Sequence, residues 1–292
     1  MTQSPEDSLG TSQPLPTNET AEAVEPPNPP RASILDWLLT IPFWILFFLT
    51  LIVFEIAQRI AYYLHGQERQ QQVARRLNRT LVWLTRHILR TKIEIESHFV
   101  PEPERPYLIT SNHQSLFDIP ILDGIFARQS PRFIAKQELS RWIPSVSFNL
   151  RSGGSAIIDR SNAQQAIGQI QNLAERMYEH RFSTVIFPEG TRARNGVMKK
   201  FRHAGLATIV QGAPFAHIIP VTLDNCWRIA YFNGLPLISG QTVRIIISAP
   251  IDPSEYASLK QMVGDVQQVM LNNLERLRKE PKLHSGQSPI QG

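Results

Sequence analysis

Eighteen consecutive residues, WLLTIPFWILFFLTLIVF from Trp37 to Phe54, carry no charge and are bounded by Asp36 and Glu55. As a helix this run reaches about 27 Å at about 1.5 Å per residue, close to the thickness of a bilayer's hydrocarbon core. Tryptophan and phenylalanine fall on every face of that helix, a pattern that core helices of soluble domains rarely show. The run is therefore expected to enter a membrane, either crossing it or returning from it. The stretch before it is acidic, which does not fit the basic flank of a signal peptide.

The formal net charge of +5 over 292 residues hides a strong asymmetry. From Met1 to Asp36 six acids face one base, Arg31, whereas from Ile56 to Lys92 seven arginines and one lysine face only Glu68. Residues 1–32, rich in Pro, Ser, Thr, Glu and Asn, read as a disordered acidic tail. In QQQVARRLNRTLVWLTRHILR, Val73, Leu77, Leu81, Leu84 and Ile88 make one helical stripe while Arg75, Arg76, Arg79, Arg86 and Arg90 occupy other faces. Beside an apolar segment, that pattern suits a basic amphipathic helix lying on anionic lipid; the alternative is a helix docked on the domain with a solvated arginine face. Residues 33–91 are thus expected to anchor the chain, and their positive charge favours the cytoplasmic side for the domain after them. A nucleic-acid partner is not expected, because the apolar run adjoins the arginines and no aromatic-basic platform is present.

From Lys92 the texture changes to that of one α/β domain, residues 92–280, followed by a flexible tail at 281–292. KIEIESHF, YLIT, RFIA, SAIID, STVIF, HIIPVTL and VRIIIS are strand candidates. A helix is expected from about Asn162 to Glu179, another over LATIVQ, and a last one from about Pro253. Strands alternating with helices imply a central, largely parallel or mixed sheet flanked by helices, behind the N-terminal anchoring segment.

Polar groups in such folds gather where strands end. In PYLITSNHQSLFDIP the strand ends near Thr110, and Ser111 or Asn112 is placed to cap the following helix. With His113 in the turn and Asp118 in the first turns of that helix, the carboxylate can reach one ring nitrogen, fix the tautomer and leave the other nitrogen free to take a proton. The plainer alternative is a histidine that only caps the helix. A second group lies in FPEGTRARNGVMKKFRHAG: Glu189, Gly190, Thr191 and Arg192 directly after a strand, then Arg194, Lys199, Lys200 and Arg202. Glycine permits close backbone approach and arginine offers a planar fork to phosphate. Lys136 in RFIAKQEL and Arg160 in RSGGSAIIDR stand at two further strand ends. One histidine–carboxylate pair among several cations suits deprotonation of one group on a substrate held by its phosphate.

The single cysteine, Cys226, excludes an internal disulfide and reads as core. No H-E-x-x-H spacing suggests a metal, and no G-x-S-x-G suggests a covalent serine. His65, His87 and His98 read as surface or interface residues, His203 as a helix-start residue and His217 as a strand-end residue.

NHQSLFD resembles the N-H-x4-D motif of the glycerolipid acyltransferases, in particular the bacterial 1-acylglycerol-3-phosphate acyltransferase type. AKQEL, GGSAIIDR, FPEGTR and IIPVTLDN resemble that family's successive blocks, in order, over roughly residues 90–250. The resemblance implies His113 as general base, oriented by Asp118, activating a lysolipid hydroxyl toward an acyl thioester from acyl-CoA or acyl carrier protein. It implies a phosphate site of Lys136, Arg160, Glu189, Gly190, Thr191 and Arg192, and places Pro220 near an acyl groove. It implies no cofactor and no metal. Lysophosphatidic acid is the expected acceptor; another lysolipid, such as a lyso-ornithine lipid, and a non-catalytic membrane-anchored lipid-binding protein are the alternatives. A bacterial inner-membrane protein with its catalytic domain on the cytoplasmic side is the expected setting.

Overall fold

The computed structural model describes residues 28–280 and 283. The acidic tail expected at 1–32 lies, up to residue 27, outside the described residues, as does the tail expected at 281–292 apart from Leu283.

Each expected strand segment forms a strand: β1 (Lys92–Ser97), β2 (Leu108–Ser111), β3 (Arg132–Lys136), β4 (Ala156–Ile158), β5 (Thr184–Ile186), β6 (Ile218–Asp224) and β7 (Thr242–Ile247). They make one sheet in the order β1-β7-β6-β2-β5-β3-β4. Every pairing is parallel except β6 with β7, where Val221 faces Ile247 and Leu223 faces Ile245 in antiparallel register. β2, β3, β4 and β5 therefore end on the same side of the sheet.

Successive residues of the buried strands serve opposite faces. Ile109, Val185, Ile219, Val221 and Ile245 enter a core beneath α1 (Ile34–His87) and α2 (Asp118–Ile125). Leu108, Ile186 and Ile218 enter a second core beneath α4 (Ala163–Glu179), α5 (His203–Gly212) and α7 (Leu259–Lys279). α3 (Val146–Ser152), which sequence periodicity does not reveal, packs against α1, and α6 (Cys226–Ile229) follows β6. The last helix begins at Leu259, capped by Ser258, rather than near Pro253, where residues 253–255 form a separate turn.

α1 is a hairpin. Its helical dihedrals fail only at Gly66, which takes φ +80° and ψ −173°. A straight helix would hold Gln58 and Gln70 about 18 Å apart, yet Gln70 Nε2 donates to Gln58 Oε1 at 2.7 Å. In the second arm, Leu77, Leu81 and Leu84 are buried in the first core. That stripe is docked on the domain, which corrects the expectation that it lies on lipid: the sheet supplied an apolar partner closer at hand. Arg76, Arg79, Arg86 and Arg90 remain exposed.

The first arm is amphipathic in the opposite sense. Asp36 Oδ1 accepts from the amide and hydroxyl of Ser239, both at 2.7 Å; Leu237 N donates to Thr40 Oγ1 at 2.8 Å; and Trp44 Nε1 donates to the Gly234 carbonyl at 2.9 Å. Farther along, Ser145 N donates to Glu55 Oε2 at 2.6 Å and Gln58 bonds the Ser145 hydroxyl. The helix turns its polar atoms toward the protein, while Ile41, Ile45, Phe48, Leu49, Ile52, Val53 and Ile56 are each more than half exposed. It is long and apolar enough to cross a membrane.

Candidate active site

The four sequence elements with chemical character each follow a parallel strand: His113 after β2, Lys136 at the end of β3, Arg160 after β4 and Glu189–Arg192 after β5. Parallel pairing brings them to one edge, and they meet around a cavity of about 600 Å³ lined by His113, Lys136, Arg160, Gly190, Thr191 and Arg192.

Asp118 opens α2, and its Oδ2 accepts three hydrogen bonds: from His113 Nδ1 at 2.7 Å, Gln114 N at 2.6 Å and Ser115 N at 2.8 Å. The carboxylate folds the turn before its own helix and holds the imidazole in the same act. With Nδ1 donating to Asp118, the neutral tautomer of the ring has Nε2 as its free acceptor. The ring stacks on Phe187 with centroids 4.1 Å apart and planes 21° apart, which fixes its tilt.

The turn is stitched to β6 and to α6 beyond it. Asn112 donates from Nδ2 to the Leu223 carbonyl and accepts the Leu223 amide at Oδ1, both at 2.8 Å. Gln114 Oε1 accepts the amides of Cys226 and Trp227 at 3.1 and 3.4 Å. Neither Ser111 nor Asn112 caps α2, contrary to expectation: Ser111 lies in β2, the helix begins at Asp118 after Phe117, and Asn112 is committed to β6. Burial and the Asp118 carboxylate push the Cys226 thiol well up, so that it remains a neutral core group.

Glu189 is placed differently from the other expected phosphate ligands. It is almost fully buried and absent from the cavity wall. One oxygen accepts the His113 amide at 2.7 Å and the other the Lys199 amide at 2.8 Å. Burial pushes its carboxyl up to about 7 despite those two donors. It joins the two motifs rather than facing a ligand, and the Ala193 amide completes the joint by donating to the His113 carbonyl at 2.7 Å.

Gly190 has φ +70°, and a Cβ there would stand 3.1 Å from Arg202 Nε. Arg202 also lines the cavity. Burial lowers the Arg192 and Arg160 guanidinium pKa values. Among the described residues no carboxylate lies within ion-pair distance of Arg160, Arg192 or Arg202, whereas Lys136 is paired with Glu138 at 2.6 Å. Among the described residues the cavity-lining Arg160, Arg192 and Arg202 thus have no carboxylate ion-paired to them. α7 braces the basic loop from behind: Gln267 accepts the Phe201 amide at 3.1 Å, and Arg278 donates to the Gly196 carbonyl at 2.7 Å and to Asp224 at 3.2 Å.

Pro220 is not at the cavity. It is buried in β6, opposite Thr110 of β2, and the expectation of an acyl groove beside it is corrected: the apolar wall is built by Leu77, Ile119, Phe133, Val146, Leu150 and Ile167. Sequence reasoning does not single out Phe187, Arg202 as a cavity residue or the Gln114 bridge. Phe187 at least carries a signal, as the apolar residue directly before Pro188.

A sequence model described as Acyltransferase matches residues 64–224. Human 1-acyl-sn-glycerol-3-phosphate acyltransferase alpha is 28% identical over 180 residues, 60% of this chain and 61% of that protein. The 1-acyl-sn-glycerol-3-phosphate acyltransferase of Pseudomonas aeruginosa is 32% identical over 162 residues, 54% of this chain and 62% of that protein. The matched stretch thus spans about three fifths of those two curated relatives. The crystal structure of the 1-acyl-sn-glycerophosphate (LPA) acyltransferase PlsC from Thermotoga maritima superposes with a TM-score of 0.70 at 23% identity, covering 86% of this chain and 99% of that one. At that identity the superposition speaks for the fold.

Proposed function

The chain belongs to the acyltransferase family, whose model covers more than half of it, and on that premise we propose that it transfers an acyl group from a thioester to the free hydroxyl of 1-acylglycerol 3-phosphate, forming phosphatidic acid. The observation that carries this reading is the His113–Asp118 hydrogen bond of 2.7 Å at the wall of a cavity rimmed by Arg160, Arg192 and Arg202.

In this reading the acceptor's phosphate is held by the rim arginines and Lys136, with the Gly190–Thr191 backbone close by. The hydroxyl gives its proton to His113 Nε2 as its oxygen attacks the thioester carbonyl carbon. The tetrahedral oxyanion collapses, the carbon–sulfur bond breaks, and the departing sulfur takes the proton from the imidazolium. Asp118 keeps the ring in the acceptor tautomer and offsets its charge when protonated; such a positioned base is worth about 10²- to 10⁴-fold. The donor, acyl-CoA or acyl carrier protein, is anionic and matches the Arg192–Arg202 loop. The names of the relatives support lysophosphatidic acid as acceptor.

The first arm of α1 supports membrane embedding parallel to the surface. Bonded to the domain from Asp36 to Gln58, about 33 Å of helix, it does not stand free across a bilayer, and its outward face is the apolar one. Such a helix lies in the interface with that face in the acyl layer. The exposed arginines of the second arm favour the cytoplasmic side of a bacterial inner membrane.

The test is acyl transfer by detergent-solubilised protein to lysophosphatidic acid and other lysolipids, from acyl-CoA and acyl carrier protein, beside His113→Ala. Phosphatidic acid formed only with intact His113 is the expected result. Acylation of a different lysolipid alone would replace the acceptor, and binding without transfer would remove the enzymatic reading.

A further inference from the structure

The cavity wall changes character along α2. Ile119, Phe133 and Leu150 are among the apolar side chains of that wall, and they suit a run of methylenes. One turn beyond Ile119 stands Asp123, joined on the wall by Gln71, Arg75, Asn78, Arg132 and Asn149. Asp123 is five residues past Asp118, about 7.5 Å of helical rise from the carboxylate that holds His113. Asp123 therefore stands toward the far end of α2 from the carboxylate that holds His113, on the wall of the cavity that an acyl chain bound by its carboxyl end at His113 would enter.

Asp123 is 6% exposed, and its Oδ2 has no hydrogen-bond partner. The two cations that share the cavity wall with it have other partners. Arg132 donates to Gln71 Oε1 at 2.9 Å and lies over the Phe182 ring at 5.6 Å. Arg75 donates to the Ala127 carbonyl and the Ser130 hydroxyl at 3.4 and 3.1 Å. Burial pushes the Asp123 carboxyl up to about 6, opposed by Asn78 and by the charges of Arg75 and Arg132. An alkyl chain packed here strips water from an unmet acceptor and returns no hydrogen bond, whereas a hydroxyl on that chain supplies the missing donor.

We infer that this end of the cavity is a subsite for a hydroxyl group carried on an acyl chain, with Asp123 Oδ2 as its acceptor. The inference rests on the acyl-transfer reading and names the chains that the site prefers. The chain belongs either to the thioester donor or to the lysolipid, and the two sources are separable by experiment.

Palmitoyl chains that are plain, or that carry one hydroxyl near the carboxyl, at mid-chain or at the methyl end, are offered first on the donor and then on the acceptor. For one source and one position the wild type should favour the hydroxylated chain in kcat/KM by about tenfold, the value of one hydrogen bond to a buried acceptor. Asp123→Leu should abolish that preference and improve use of the plain chain, and Asp123→Asn should keep part of it. A wild-type ratio at or below one for every position, or a ratio unchanged in Asp123→Leu, overturns the subsite. Thermal stabilisation of the solubilised protein by palmitic acid and its hydroxylated forms reads the same site without turnover. An Asp123-dependent preference there without acyl transfer removes the reaction and keeps the subsite; equal stabilisation by plain and hydroxylated acids removes the subsite.

Discussion

The amide of His113 donates to Glu189 Oε1 at 2.7 Å, and the other oxygen of that carboxylate takes the Lys199 amide at 2.8 Å. One buried side chain thus sets the distance between the histidine turn and the far end of the basic loop, ten residues along from Glu189 itself. Glutamine offers a single carbonyl oxygen for two amides, so Glu189→Gln leaves one unmet, at a cost of about 1–3 kcal/mol. A fall of several degrees in Tm, with kcat reduced more than tenfold, is expected from differential scanning fluorimetry and the transfer assay.

The same carboxylate gives a signed pH dependence. Its pKa is raised from 4.5 to about 7 in the folded state, chiefly by burial, so the native protein holds a proton that the unfolded chain has released between those values. Stability from this group is fully present below pH 4.5 and is lost as pH rises through about 7. Denaturant midpoints measured across that window should fall less steeply in Glu189→Gln than in wild type; parallel curves would refute the assignment.

Asp118→Asn removes the ionised acceptor of three hydrogen bonds and offers the His113 ring the wrong partner in one of its two amide orientations. Loss of about 10²- to 10⁴-fold in kcat is expected, with acceptor KM little changed. Unchanged kcat would mean that the pair serves only to cap α2.

At the rim the split should reverse. Arg192→Ala and Arg160→Ala each remove a charged donor facing the cavity, and acceptor KM should rise about tenfold or more, with kcat less affected. Gly190→Ala should act in the same direction through strain: its φ of +70° is costly for alanine, and the new methyl meets Arg202.

Leu49→Asp tests the outward face of α1. The side chain is 52% exposed, so the fold should survive, yet a carboxylate there opposes burial of the face proposed to enter the acyl layer. Flotation with anionic vesicles should drop, whereas Arg86→Ala should chiefly change the salt dependence of binding.

The sheet was legible because each strand is a short apolar run closed by polar or turn residues, and local pattern suffices for that. α3 was not, since VSFNLRS has no helical stripe of its own and is ordered by packing against α1. The His113–Asp118 contact followed from spacing plus the strand-to-helix turn. The inward turn of Glu189 did not, because a glutamate in a loop of cations reads as part of the ligand surface until the amides it meets are known. Asp123 has the sequence signature of an ordinary helix residue; its burial beside Asn78 and Arg75 of α1 and Arg132 of β3 is set by tertiary packing. The docked stripe of the second arm was open from sequence for the same reason: a stripe does not name what covers it.

The polar underside of α1 also imposes an order of assembly. Asp36 finds its partner in Ser239, 203 residues later in the chain, and synthesis at about 5–20 residues per second delays that meeting by about 10–40 s. During the interval Asp36 keeps its Ser33 contacts through Oδ2, while Oδ1 lacks the Ser239 amide and hydroxyl that it accepts in the finished fold. Under the membrane reading proposed above, the first arm rests at the lipid–water boundary until residues 234–239 are made, so its final seating follows their synthesis.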